Sequence, residues 1–197
     1  MPGSPRRQPV RFLVFSASLR RDSLNARLAE LAAAAIEAGG GDVDVAAMRD
    51  FDAPSYDQDV QRDEGFPPGA EEFRRRLEAC HGFVVASPEY NASMPGVLKN
   101  AIDWVSRLPN QPFAGKPIAL QSASPGPLGG GRVQYDMRRA MVFLDAFTLN
   151  KPEIFIGGCA SKIDEKTGEI KDEATRGFIK QQLAAFASFV GQVAPKK

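Results

Sequence analysis

The sequence predicts one doubly wound α/β domain, with a five-stranded parallel sheet covered by helices on both faces. Three observations carry this. Short apolar runs of strand length recur about five times, and segments with apolar residues at helical spacing lie between them. Most of the runs are continuous rather than alternating, as strands buried on both faces require. No internal repeat and no long linker divides the 197 residues, a length that suits a single core.

Each element follows in order. Residues 1–9, MPGSPRRQP, are rich in proline and arginine and are expected to form a loose arm, leaving residues 10–197 as the domain. Residues 10–16 are the first strand. Arg6-Arg7 ahead of this run gives it a faint likeness to a secretion signal. The run is shorter than the roughly 7–15 apolar residues a signal needs, and Arg20-Arg21 follow at once, so a strand explains it better. Leu24, Leu28, Leu31 and Ala35 share one face of the first helix. Asp42–Ala47 is the second strand, residues 71–79 the second helix and residues 83–87 the third strand. Residues 96–107 form the third helix and residues 118–122 the fourth strand. Met137, Ala140, Met141 and Leu144 stripe the fourth helix, and residues 153–157 are the fifth strand. Phe178, Ile179, Leu183, Phe186 and Val190 stripe the last helix. Pro117 and Pro152 each precede a strand, where a missing N–H costs least. Residues 164–172, DEKTGEIKD, read as a polar surface excursion.

Composition excludes several function classes. Apolar residues make up 43% and charged residues 25%, with a formal net charge of +1, so nothing favours nucleic acid or an anionic membrane as partner. No stretch reaches the length of a membrane span. Cys80 and Cys159 form neither a disulfide framework nor a metal-ligand pair by spacing, and read as buried small hydrophobes in a reducing cytoplasm. The one histidine, His81, precedes the third strand, at the end opposite the expected site, and no G-x-S-x-G elbow exists. Clusters of His and Cys that could hold a metal are missing from the pattern. Ser87 stands where a response regulator would end its third strand with an acid. The side chains therefore offer no catalytic residue and no metal site, and a cofactor must carry the chemistry.

In such a sheet, ligands bind outside the carboxyl ends of the strands, where strand order reverses. The loop after the first strand, residues 16–25 (SASLRRDSLN), combines hydroxyls and two arginines with a helix N-terminus. Free N–H groups and the positive dipole end attract phosphate there. It is neither a Walker loop nor G-x-G-x-x-G. The loop after the third strand, residues 87–96 (SPEYNASMPG), sets Tyr90 and Asn91 among prolines that stiffen a backbone suited to gripping a flat ring. The loop after the fourth strand, residues 122–132 (SASPGPLGGGR), has glycines that permit close backbone approach to a ligand.

Together the three loops resemble the NAD(P)H-dependent FMN reductases, and within them the branch of quinone, chromate and azo reductases. The likeness lies in Ser-Leu-Arg-x-x-Ser-x-Asn, then Pro-Glu-Tyr-Asn-x-Ser-x-Pro-Gly-x-Leu-Lys-Asn-Ala-Ile-Asp-Trp, then Gly-Gly-x-Arg, and runs from about Val10 to Val190. It implies a flavodoxin-like fold with strand order 2-1-3-4-5 and an FMN cofactor reduced by NADPH or NADH. Ser18, Arg20, Ser23 and Asn25 would hold the flavin phosphate, with Leu19 and Leu24 also binding the cofactor. Pro88, Glu89, Tyr90, Asn91 and Ala92 would line the ring, with Ser124 flanking it. Hydride would pass through flavin N5 to a quinone or similar small acceptor in ping-pong fashion. The resemblance also implies a homodimer or homotetramer, with Arg132, Tyr135 and Glu153 at the interface and Arg132 and Glu153 as an intersubunit ion pair. Ala17 stands where many members carry Gly, and Pro125 and Pro127 stiffen a loop that is often freer. A flavodoxin-type electron carrier, a regulatory protein, and a reductase that releases reduced FMN to a partner are the competing readings. Preference between NADH and NADPH is left open, with Arg107 as a candidate reader of a 2′-phosphate.

Overall fold

Alternating side chains on the strands face two different layers of helix, which makes the sheet a central slab. On β1 (Arg11–Ser16), Leu13 and Phe15 join one buried cluster while Phe12 and Val14 join the other. A computed structural model of the chain describes residues 9–164 and 167–194. The expected N-terminal arm lies outside the described residues apart from Pro9.

The elements follow as α1 (Leu24–Ala38), β2 (Asp42–Ala47), a 3-10 turn (Met48–Phe51), α2 (Gln58–Glu64), α3 (Pro68–Ala79) and β3 (Gly82–Ala86). Then come α4 (Gly96–Val105), β4 (Pro117–Ser124), α5 (Gly131–Phe143), β5 (Phe147–Thr148), β6 (Ile154–Gly157), α6 (Cys159–Lys162) and α7 (Glu173–Val193). All pairings in the sheet are parallel and the order is β2-β1-β3-β4-β5, with β6 also on β4. Helices α3, α4 and α5 cover one face through Phe73, Trp104, Val105, Met137 and Met141. Helices α1 and α7 cover the other through Leu28, Ala32, Ile179, Leu183 and Phe186. On the first face Phe51 stacks on Phe73 at 4.3 Å between ring centres, and Phe15 meets Phe51 edge-on at 5.3 Å.

The expected fifth strand shares its edge of β4 with the two-residue β5. Thr148 pairs with Ile118 and Ile154 with Gln121, so the chain leaves the ladder over residues 149–153. Glutamines fill the gap. The amide of Gln182 donates to the carbonyls of Leu120 and Pro152 at 3.1 and 3.0 Å and accepts from Gln121 at 2.9 Å. The amide of Gln134 donates to the Ile154 carbonyl at 2.7 Å. Buried backbone acceptors that lost a strand partner are thereby satisfied.

Some boundaries differ from expectation. Helix α2 went unread because none of its residues is buried and it carries no apolar stripe. Helix α3 begins at Pro68, where proline's fixed φ suits a first helical position. Helix α4 stops at Val105, two residues early. The polar excursion is tied down, because Ile163 and Ile170 bridge and are both buried; residues 165 and 166 lie outside the described residues. His81 sits at the amino end of β3, where its Nδ1 accepts from the Arg11 N–H at 2.9 Å. Cys80 and Cys159 are both buried. Among the described residues no helix is long and apolar enough to cross a membrane.

Candidate cofactor site

The register sets the three loops side by side. Ser16 pairs with Ala86, and Ala86 with Gln121, so β1, β3 and β4 release their chains at one edge of the sheet. Strand order reverses between β1 and β3, which is where a crevice opens. The loop after β3 is central, flanked by the loops after β1 and β4.

The first loop is built around serine hydroxyls. Ser16 Oγ accepts from the Ser18 N–H at 3.3 Å, and Ser18 Oγ accepts from the Arg20 N–H at 3.2 Å, which winds the chain toward α1. Ser23 is the N-cap of α1, its Oγ accepting from Ala26 N–H at 3.4 Å. The N–H groups of Leu24 and Asn25 have no preceding helical turn to bond. Leu19, Arg20 and Arg21 are exposed. Ala17 is fully buried and donates its N–H to the Ala86 carbonyl at 3.0 Å, so the methyl at this position packs inward.

Asn25 has a role that the sequence did not suggest. It is 4% exposed, and its amide spans 98 residues to β4. Nδ2 donates to the Ala123 carbonyl at 3.0 Å, and Oδ1 accepts from the Ala123 N–H at 2.9 Å. Its amide ties the first loop to the end of β4.

In the central loop, the N–H of Tyr90 donates to the Ser93 carbonyl at 3.1 Å and the Ser93 N–H returns a bond to Tyr90 at 3.0 Å. The two residues between, Asn91 and Ala92, have φ of 51° and 61°. This is a two-residue turn with both central residues left-handed, a conformation costly for alanine. Such strain is characteristic of backbone held in place for a ligand. Ser87 Oγ donates to the Pro88 carbonyl at 3.0 Å. Tyr90 and Asn91 face solvent.

Glu89 reaches the start of α5. Its carboxylate accepts from the N–H groups of Arg132 and Val133 at 3.0 and 3.4 Å and pairs with the Arg132 guanidinium at 3.3 Å, capping α5. A negative charge is favoured at a helix N-terminus. Asp136, one turn into α5, bonds the Ser93 hydroxyl and Arg139. Ser93 and Arg139 hold its carboxyl below the ordinary range. Sequence reading missed Asp136, because its partner Ser93 lies 43 residues away with no spacing rule to connect them.

In the third loop Ser124 Oγ accepts from the Gly126 N–H at 3.2 Å. The expectation that these glycines admit a ligand holds only in part. A Cβ on Gly129 would meet the β6 backbone at 2.6 Å, and one on Gly130 would meet Ser122 Cβ at 2.7 Å. Their left-handed backbone and bare Cα let the loop pack against β4 and β6. Gly131 alone among these three faces open space.

Arg107 lies beyond the carboxyl end of α4, with its guanidinium 5.3 Å from the Tyr56 ring centre. The helix runs about 15 Å from the loops before reaching it. Arg132 engages Glu89 within the chain, while Glu153 engages Lys151 at 2.6 Å and Arg138 at 3.7 Å. Burial raises the Glu153 carboxyl, and the bonds from Lys151 and Tyr135 together outweigh it and leave it lowered. Tyr135 is exposed, 6.5 Å from the Phe155 ring.

The mouth thus offers helix N–H groups, hydroxyls and arginine on one side and a stiff aromatic turn on the other. That donor set fits a ligand with a phosphate at one end and a flat ring at the other.

Comparison with known proteins agrees with this geometry. The family model described as NADPH-dependent FMN reductase matches residues 10–160. A quinone reductase of Escherichia coli K12 is 44% identical over 180 residues, covering 89% of this chain and 93% of the relative. An NAD(P)H-dependent FMN reductase of Pseudomonas aeruginosa is 42% identical over 181 residues, covering 92% and 95%. Among solved structures, a flavoenzyme NAD(P)H:(acceptor) oxidoreductase from Paracoccus denitrificans superposes with a TM-score of 0.82 at 28% identity, covering 94% of this chain and all of that one.

Proposed function

The chain belongs to the NADPH-dependent FMN reductase family, and from this premise we propose that it reduces quinone-type acceptors with NAD(P)H through FMN held at the three-loop edge. The observation that carries the placement is the register, which sets the α1 phosphate loop beside the strained Tyr90–Ser93 turn. When bound, FMN supplies the centre that takes hydride from the nicotinamide and returns it to the acceptor, which makes the kinetics ping-pong.

The chain's own part is binding and orientation. Ser18, Leu19 and Arg20, with the N–H groups of Ser23 and Leu24, hold the phosphate. Asn25 fixes their distance from β4. Pro88, Tyr90, Asn91 and Ala92 present backbone and ring edge to the flavin, and Ser124 closes the other flank. Glu89 ties the central loop to the start of α5. No side-chain acid or base is required, and Glu89 and Asp136 serve to tie the central loop to α5.

The working form is a homodimer or homotetramer. Tyr135, Phe143, Phe147, Phe155 and Phe178 are exposed on α5, β5, β6 and α7, with the Tyr135 and Phe155 rings 6.5 Å apart and Phe178 in one cleft with Phe155, which supports an interface here. Arg132 and Glu153 both have partners of opposite charge within the chain, so the exposed Tyr135 carries more of the interface than an Arg132–Glu153 pair. The setting is a reducing cytoplasm. Acceptors related to quinones, including chromate and azo compounds, belong to the same reading.

Anaerobic stopped-flow tests it. Protein loaded with FMN should bleach on mixing with NADPH or NADH and regain colour with a benzoquinone. Absence of bleaching by either nucleotide would overturn the proposal. Loss of flavin on gel filtration after reduction would assign the chain to flavin supply instead.

A further inference from the structure

Behind the phosphate loop lies a second cleft of about 850 Å3, between the loop, the start of α1 and the carboxyl end of β2. It shares Ser16, Ser18, Leu19 and Arg20 with that loop, is walled by Ala26 and Val45, and carries Arg21 and Arg49 as well. All three arginines are exposed, and among the described residues none of them forms an ion pair with an acid. With Arg20 given to the flavin phosphate, Arg21 and Arg49 leave two guanidinium groups without an ion pair at one cleft of a chain of net charge +1.

The two acids at the cleft are already engaged. Glu30 pairs with Arg27 at 2.9 Å. Asp50 accepts from the Ala47 N–H at 3.1 Å and pairs with Arg76 at 3.2 Å, which locks the 3-10 turn that projects Arg49. The Arg49 guanidinium reaches back to the Leu19 carbonyl at 3.4 Å, joining the cleft to the phosphate loop.

We propose that this cleft receives the adenosine 2′-phosphate end of NADPH, with Arg49 and Arg21 as the residues that select NADPH over NADH. The inference rests on the reading of the chain as an NAD(P)H-dependent reductase. A guanidinium fork matches a phosphate in two parallel bonds, and the apolar wall at Val45 and Ala26 suits a flat base. The strand order sets the end of β2 beside β1, on the side of the phosphate loop away from the turn after β3. The side chain that the end of β2 sends to this cleft is Arg49, and its acidic neighbour Asp50 is tied down.

The test uses FMN-loaded protein and two probes, 2′,5′-ADP and 5′-AMP. Calorimetry should show 2′,5′-ADP binding at least about tenfold more tightly than 5′-AMP, and Arg49→Ala should remove the difference. In steady state, Arg49→Ala and Arg21→Ala should raise KM for NADPH by about tenfold or more while kcat holds and KM for NADH moves less than about twofold. Both residues are exposed, so a shared loss of folding is not expected, and Arg49→Lys should recover part of the NADPH effect. Equal binding of the two probes, or parallel shifts for both nucleotides, would overturn the assignment. Wild-type protein that neither nucleotide reduces would instead overturn the enzymatic reading, so the two failures are distinguishable.

Discussion

Replacing Asn25 should loosen the whole site edge without touching the chemistry. The side chain is 4% exposed and makes two bonds to one residue, Ala123, at 2.9 and 3.0 Å. Each such bond contributes about 1 kcal/mol net, and a buried backbone group left without a partner costs about 1–3 kcal/mol. Asn25→Leu fills the volume, admits no water and orphans both the N–H and the carbonyl of Ala123. Its expected cost is about 2–4 kcal/mol, or roughly 5–15 °C in Tm for a chain of this size. Asn25→Asp keeps the acceptor and loses the donor, and sets a carboxylate against the Ala123 carbonyl, so it should fall at least as far. Urea denaturation of the FMN-free protein reads this directly. A second readout is the rise in Tm on adding FMN, which should shrink as the loop loses its distance to β4. If Asn25→Leu left the FMN-free protein within about 0.5 kcal/mol of wild type and weakened only FMN binding, the tie would be wrong. Asn25 would then be a phosphate ligand first.

Three further expectations follow from the same geometry. Gly129→Ala should cost about 2–5 kcal/mol, since it combines left-handed strain with a Cβ 2.6 Å from the β6 backbone, and chevron or urea data would show it. Glu89→Gln removes a charge from the α5 N-terminus and should cost about 0.5–2 kcal/mol, with FMN retention falling in parallel because the same residue sits in the central loop. In acid, Arg75 and Arg76 hold the Glu72 carboxyl at about 2, against an ordinary value of 4.5. The unfolded chain therefore takes up that proton first as pH falls. Stability from this pair is full above about 4.5 and lost progressively toward 2, and Asp136, also lowered, adds to the loss. Tm measured from pH 6 to pH 2.5 should fall with a slope that Glu72→Gln makes shallower; an unchanged slope would show that the pair contributes nothing.

The sequence by itself determined five of the six strands, β5 being too short to leave a signal, and that the loops after β1, β3 and β4 share an edge. Apolar continuity demands burial on both faces, and parallel connection then forces those loops to one side. It also revealed a helix N-terminus rich in hydroxyls beside a proline-stiffened aromatic turn, because such features are local in the chain. Partnerships between distant residues were decided only by the tertiary structure. Asn25 reads as a phosphate donor from its position after Ser23, yet folding brings Ala123 to it and gives its amide another task. Glu89 reads as a lining residue until α5 arrives above it with two N–H groups lacking partners. The glycines after β4 read as room for a ligand until β6 is seen to occupy the space beside Gly129. Arg49 carried no signal at all, since its charge gains meaning only when the end of β2 is laid against the phosphate loop. Periodicity and local turn chemistry are written along the chain, whereas the partner of each buried polar group depends on which strand becomes its neighbour.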